Sequence, residues 1–400
     1  LPLLLAGLIY SYRVDSRAGL DWCRRSMHLL RQRGDRWEIA MAANLLGSRL
    51  HSLGEPREDV KALLREGADL SRAIGDELVL AYNLTTLAWV LADERQHEAA
   101  LAIDQECQAL FEQVGDRAGA AYNLWNIASI WESAGDYARA LRQYEHSRAL
   151  FGALGRRYDV ASALGWESQL LQRIGDYAAA LQRRQQALEL FQEVGDPHGT
   201  AWSIFELGEL QRLLGNPVEA ERLYAQSLAQ FQQLNTDHGL AFYYRARGRD
   251  ALDAGELDAA RALLQHSLAL TSGEHIDFWN QAQALYHLGR LALREGDLAA
   301  ARQQFQAALH IATQWANLGL TLMMVGGFAQ LAAAEGAFAE AAALAALVLA
   351  HPGAWAETKA AITAVRQAAR AALDADEFAA AEAAGRARRE GEWVVVDGKL

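Results

Sequence analysis

Cysteine is scarce. Cys23 and Cys107 are the only two among 400 residues. They offer neither a disulfide framework nor a metal-ligand pair, and they suit a reducing compartment. Lysine is nearly as rare: Lys61, Lys359 and Lys399 stand against a crowd of arginines. Genome composition alone produces such a bias, so an isolated arginine carries little weight. No apolar run reaches the ~20 residues that a membrane span needs. The closest approach, Ala341–Ala350, follows Glu335 and Glu340 and reads as a buried, alanine-rich helix. There is no Gly-Lys-Ser/Thr nucleotide loop, no His-Glu-x-x-His and no paired-cysteine motif. Eleven histidines, His146, His198 and His310 among them, are scattered as exposed helix residues would be. No secretory leader is evident, and a net charge of −12 argues against a nucleic-acid surface. These absences predict a cytoplasmic protein that is not an enzyme, carries no cofactor or metal, and contacts neither nucleic acid nor membrane. The opening Leu1-Pro2, without methionine and already in a helical pattern, reads as the start of a piece of a longer protein.

What the chain has is glycine at a fixed period. Gly54-Glu55, Gly135-Asp136, Gly175-Asp176, Gly215-Asn216, Gly255-Glu256, Gly296-Asp297 and Gly336 form one series. Gly34-Asp35, Gly75-Asp76, Gly115-Asp116, Gly155 and Gly195-Asp196 form a second one between them. Extended through degenerate positions, the first series predicts turns near 14, 54, 95, 135, 175, 215, 255, 296, 336 and 376. Two interleaved series at one period of about 40 residues mean two helices per unit. A glycine just past a helix end adopts the left-handed conformation without a side-chain penalty, and an Asp after it caps the next helix. Between turns the apolar spacing is helical, as in Leu124, Ile127, Ala128 and Trp131. Small residues recur where paired helices cross: Ala128, Ser168, Gly208, Gly248 and Gly289 in first helices, Ala140, Ala180, Ala220, Ala260 and Ala301 in second helices. Trp131 and Tyr144 belong to the packing of the repeat. The pattern predicts an unbroken array over 1–390 and a short extended tail over 391–400, where Trp393–Val396 reads as a strand.

This spacing resembles the tetratricopeptide repeat. Ala128, Trp131, Gly135-Asp136-Tyr137, Ala140, Tyr144 and Ser147 stand at the family positions in one unit, and Gly289, Gly296-Asp297, Ala301, Phe305 and Ala308 in another. The resemblance covers roughly residues 35–350. It departs in its 40-residue period and in lacking the closing proline. Endings such as Phe111–Asp116 and Phe191–Asp196 look like the arrays of bacterial STAND-class signalling ATPases and of large LuxR-type, maltose-activator-like regulators. The resemblance implies an all-α, right-handed α-solenoid superhelix of about ten helix-turn-helix repeats. It implies a sensor or scaffold segment of a larger bacterial signalling or transcription-regulating protein, with an ATPase domain upstream. The alternative is a free-standing scaffold that binds peptides or a partner protein; an enzyme or enzyme subunit is a weaker one.

In that family the first helices line the concave groove. Carried over by register, the groove positions here include an aromatic wall of Tyr82, Trp89, Tyr122, Trp125, Trp202 and Phe205. Beside it come Phe242 and Tyr286 and a cationic stretch of Arg212, Arg245, Arg249 and Arg290. Aromatic residues with arginines are the usual make-up of binding hot spots, and clustered guanidiniums suit an anion or carboxylate. A protein or peptide partner, or a small effector, is expected there. Packing against the next helix remains open for each aromatic, as does ion pairing or solvation for each arginine. If the groove reading holds, Arg249→Glu weakens partner binding with little loss of stability.

Overall fold

The computed structural model describes residues 2–13, 16–53, 55, 57–271, 277–314, 317–388 and Trp393; of 10–13, 16 and 17 it describes the backbone only. Among the described residues there are twenty helices and no strand. They come as consecutive pairs. These are α1 (Pro2–Arg13) with α2 (Ser16–Arg33), α3 (Arg36–Ser52) with α4 (Arg57–Ile74), α5 (Glu77–Asp93) with α6 (His97–Val114), and α7 (Arg117–Ser133) with α8 (Tyr137–Ala153). Next are α9 (Arg157–Ile174) with α10 (Tyr177–Glu193), α11 (Pro197–Leu213) with α12 (Pro217–Gln233), and α13 (Asp237–Ala254) with α14 (Leu257–Leu270). The last are α15 (Phe278–Glu295) with α16 (Leu298–Gln314), α17 (Leu318–Ala334) with α18 (Phe338–Ala350), and α19 (Ala356–Ala372) with α20 (Ala375–Ala387). The turn near 14 lies outside the described residues, as does the tail apart from Trp393. None of the described helices is long and apolar enough to cross a membrane.

The turns work as their chemistry dictates. Asp76, Asp176 and Asp196 each cap the helix that follows, accepting from backbone amides of Val79, Ala179 and Gly199. Where the series loses its glycine, Arg95 and Asn235 still take positive φ, 62° and 48°. Asn tolerates that region; Arg does so against its preference. The turn expected at 376 falls earlier, at Leu373–Asp374, because Asp374 caps α20 through the amide of Glu377.

Successive hairpins interlock through a feature that recurs every 40 residues. Phe111, Phe151, Phe191 and Phe231 close α6, α8, α10 and α12 and are buried. In three of the four cases the next first helix presents a glycine to the ring. A Cβ on Gly199 would lie 2.4 Å from Phe191 Cδ1, and Gly119 and Gly239 meet Phe111 and Phe231 in the same way.

The chain divides into two compact units: Leu1–Glu132 with Ala138–Arg156, and Ser133–Tyr137 with Arg157–Leu400. The α7–α8 turn belongs to the second unit because its partners are there. Tyr137 donates its hydroxyl to the Gly353 carbonyl at 2.7 Å, and Gly135, at φ +78°, packs against Gly353 and Leu318. The last pair departs from the hairpin pattern. α20 packs chiefly on α18, with Gly385 against the Ala343 carbonyl and Arg388 paired with Glu340 at 2.8 Å.

Candidate functional site

In the first unit, the expected groove residues are anchored aromatics. Tyr82 and Tyr122 are exposed, yet each ring stands edge-on to the phenylalanine that ends its own hairpin, at 5.4 and 4.9 Å between centroids. Their hydroxyls reach the following turn: Tyr82 donates to Asp116 and Tyr122 accepts from Arg156, both at 2.9 Å. Trp89 is exposed and stands edge-on to His51, which pairs with Asp93. Trp125 is half-buried against Tyr144 and Phe151.

In the second unit, the aromatic positions are largely packed. Phe205 is buried between Tyr224 and Phe231, so it belongs to the core and not to a ligand surface. Tyr286 is buried against Phe305. Trp202 and Phe242 are half-buried, 5.0 Å apart with His238 beside both.

The four arginines do come together, but with partners the sequence reading missed. Arg249 grips Glu209 through two nitrogens, at 2.7 and 2.9 Å, and Asp250 at 2.8 Å. Glu209 also accepts from the Tyr224 hydroxyl. Burial opposes the Glu209 charge, but Arg249 and Arg212 outweigh it and hold its carboxyl well below the usual range. Arg249, 7% exposed, is therefore structural, and mild behaviour on substitution is not expected of it. Arg245, also 7% exposed, donates to Asn280 Oδ1 at 2.7 Å and Gln283 Oε1 at 2.8 Å. Arg212 and Arg290 remain a quarter open to solvent, paired with Glu357 and Asp253 at 2.8 Å or less. All four surround His287. It is buried, unlike the exposed histidines expected; burial first, then Arg290, Arg249, Arg245 and Arg212, hold its pKa well below normal. The ring is thus a neutral wedge among cations.

Glu209 and Arg249 are 40 residues apart, the same register in adjacent repeats. That spacing was the available signal for this ion pair. Pairs 33 to 36 apart tie other neighbouring repeats: Arg302 with Glu335, Arg72 with Glu106, Arg31 with Glu66.

The open inner face expected from the sequence is partly filled in this unit. Residues 351–357 lie across the start of α17 and the end of α9. Trp355 sits 5.4 Å from Trp279, and the Arg173 guanidinium lies over both rings at 5.2 and 5.4 Å. Among the described residues no cluster of three potential metal ligands occurs.

A family model described as tetratricopeptide repeat matches residues 159–233 and 206–273. No curated protein matches the chain. Among solved structures it is similar to a Rap protein complexed with Competence and Sporulation Factor, at 12% identity and a TM-score of 0.57, covering 92% of this chain and 99% of that one. It is also similar to aspartyl phosphate phosphatase F from Bacillus subtilis, at 12% identity and a TM-score of 0.53, covering 92% and 93%. A STAND protein with a tetratricopeptide repeat sensor from Pyrococcus horikoshii matches at 12% identity and a TM-score of 0.47, covering 87% of this chain and 52% of that one.

Proposed function

Residues 159–273 being tetratricopeptide repeats, we propose that the chain is a non-catalytic binding module whose second unit holds a carboxylate-bearing segment of a protein or peptide partner on its first-helix face. The observation that carries this is Arg245. Its buried guanidinium is satisfied by two neutral amide oxygens, and no carboxylate stands within ion-pair distance among the described residues. Glu209, Asp277 and Glu206 act on it without direct contact; burial of a charge is costly, and a partner's carboxylate in direct contact would relieve that cost. Arg212 and Arg290, being partly open, are the arms that reach it. Random heptapeptides displayed against the immobilised chain should enrich Asp and Glu, and Arg290→Gln, at a partly open arm, should weaken that enrichment while melting within a few degrees of wild type. Equal enrichment on both proteins would place the site elsewhere.

On a finer scale, the chain is the sensor segment of a larger bacterial signalling protein, where occupancy biases an upstream ATPase domain. The support is the resemblance of its 40-residue repeats to STAND-class arrays. A ligand shifts such an equilibrium only by preferring one state. A free-standing scaffold is the second reading, favoured by the superposition along nearly the whole Rap chain. A nucleotide-binding module encoded ahead of Leu1 would decide for the sensor. Cytoplasmic placement belongs to the same proposal and is supported by Cys23 and Cys107, both buried and unpaired.

A further inference from the structure

We propose that His351–Glu357, His-Pro-Gly-Ala-Trp-Ala-Glu, is an internal pseudo-ligand, and that the partner is a peptide that turns before an aromatic residue and begins a helix after it, with a carboxylate two positions beyond the aromatic. This deepens the reading above and rests on it. The segment is docked as a ligand would be. Its backbone is held by the Tyr137 hydroxyl on the Gly353 carbonyl. Its indole enters a slot formed by Trp279, Arg173 and Gly319, where a Cβ on Gly319 would lie 2.1 Å from Trp355 Nε1. Its carboxylate, two residues on, pairs with Arg212 at 2.7 Å. The backbone approach requires small residues on both sides: Gly353 against Gly135, and Ala356 at 3.0 Å from where a Gly175 Cβ would stand.

The fit is incomplete in two places, and both favour exchange. The Trp355 indole N–H is buried without an acceptor, so an aromatic without the N–H fits the slot with no orphaned donor. Glu357 is half open to solvent, so its bond to Arg212 is screened and easily replaced. Glu357 adds a negative charge to the arginine cluster, beside Glu209, Asp250 and Asp253. Its departure takes from Arg212 its shortest ion pair, beside a vacated aromatic slot.

The test uses the whole chain and a fluorescently labelled synthetic heptapeptide of sequence His-Pro-Gly-Ala-Trp-Ala-Glu, read by polarisation. Trp355→Ala and Glu357→Lys, which weaken the internal segment, should each raise affinity for the peptide at least tenfold over wild type. Adding Arg212→Gln should remove the gain, and a peptide with alanine for tryptophan should not bind. Should Trp355→Ala fail to fold by circular dichroism, Glu357→Lys, at a more exposed position, decides alone. A folded Glu357→Lys that binds the peptide no better than wild type overturns the proposal. If acidic heptapeptides are nevertheless selected in the display experiment, the arginine face still binds partners and only the pseudo-ligand is lost; if none is selected, the functional reading falls with it.

Discussion

Groove positions of the first helices carry different chemistry in the two units. In the first, Trp89 and Trp125 stand there, exposed or half-buried, and lean on His51, Tyr144 and Phe151. In the second, Glu209, Arg245 and Arg249 stand there, all buried, with Arg290 half-buried beside them. An exposed aromatic costs a fold little and loses little when removed. A buried guanidinium must be paired, because an unpaired charge in the interior costs several kcal/mol, on the order of 3–5 when a partner is deleted. The first unit can therefore vary at these positions, whereas the second holds one specific arrangement of charges.

The sharpest way to break this comparison is Arg249→Glu. It sets a third carboxylate beside Glu209 and Asp250 and should lower stability by about 3–5 kcal/mol, read from the urea midpoint. Arg249→Leu together with Glu209→Leu removes both charges and should recover most of that loss. A loss under about 1 kcal/mol for Arg249→Glu would mean that the pair is in effect solvated and that the two units do not differ in this respect.

The first unit also buries charged residues away from the groove positions, Lys61, paired with Glu94, and Asp104 among them. Asp104 is fully buried on α6, and neither carboxyl oxygen has a hydrogen-bond partner. Burial pushes its pKa up to about 8, against roughly 4 when unfolded. Between those values the folded chain holds one proton more than the unfolded chain, so stability falls as pH rises. The contribution is complete below about pH 4 and lost above about pH 8, with a slope approaching 1.4 kcal/mol per pH unit. Neighbouring Cys107, pushed up to about 12, stays a thiol throughout. Asp104→Asn should flatten the fall in urea midpoint between pH 5 and pH 9. An unchanged fall would locate the titration in another group.

The array was legible in the sequence because turn chemistry is local: a glycine and an acid at each helix end say where the chain reverses. Helix packing was legible for the same reason, since Ala128, Gly208 and Gly289 recur at one register. Arg249 and Glu209 were visible as residues but not as a pair, because reading down one register isolates like positions and hides charges that face each other across repeats. His287, Glu357 and Trp355 were illegible. The environment of Glu357 and Trp355 depends on a segment about 180 residues beyond Arg173 returning to the same face, and no periodicity encodes that return; His287 is set among arginines of three repeats, which reading one register does not show. Phe205 and Tyr286 failed for a different reason: register gives the direction of a side chain but not whether the next helix covers it.

The smallest effect sharpens the comparison from the other side. Tyr82→Phe removes the hydroxyl that donates to Asp116 and keeps the ring edge-on to Phe111. The bond lies at the surface, where water replaces it, so the expected loss is within about 1 kcal/mol. Asp116 also keeps its other role, accepting from the Gly119 amide at the start of α7. The urea midpoint of Tyr82→Phe should therefore stay close to wild type. A loss approaching that of Arg249→Glu would mean that Tyr82 and Asp116 act as one cooperative unit with the cap, and that exposed aromatics fix the first unit as firmly as buried charges fix the second.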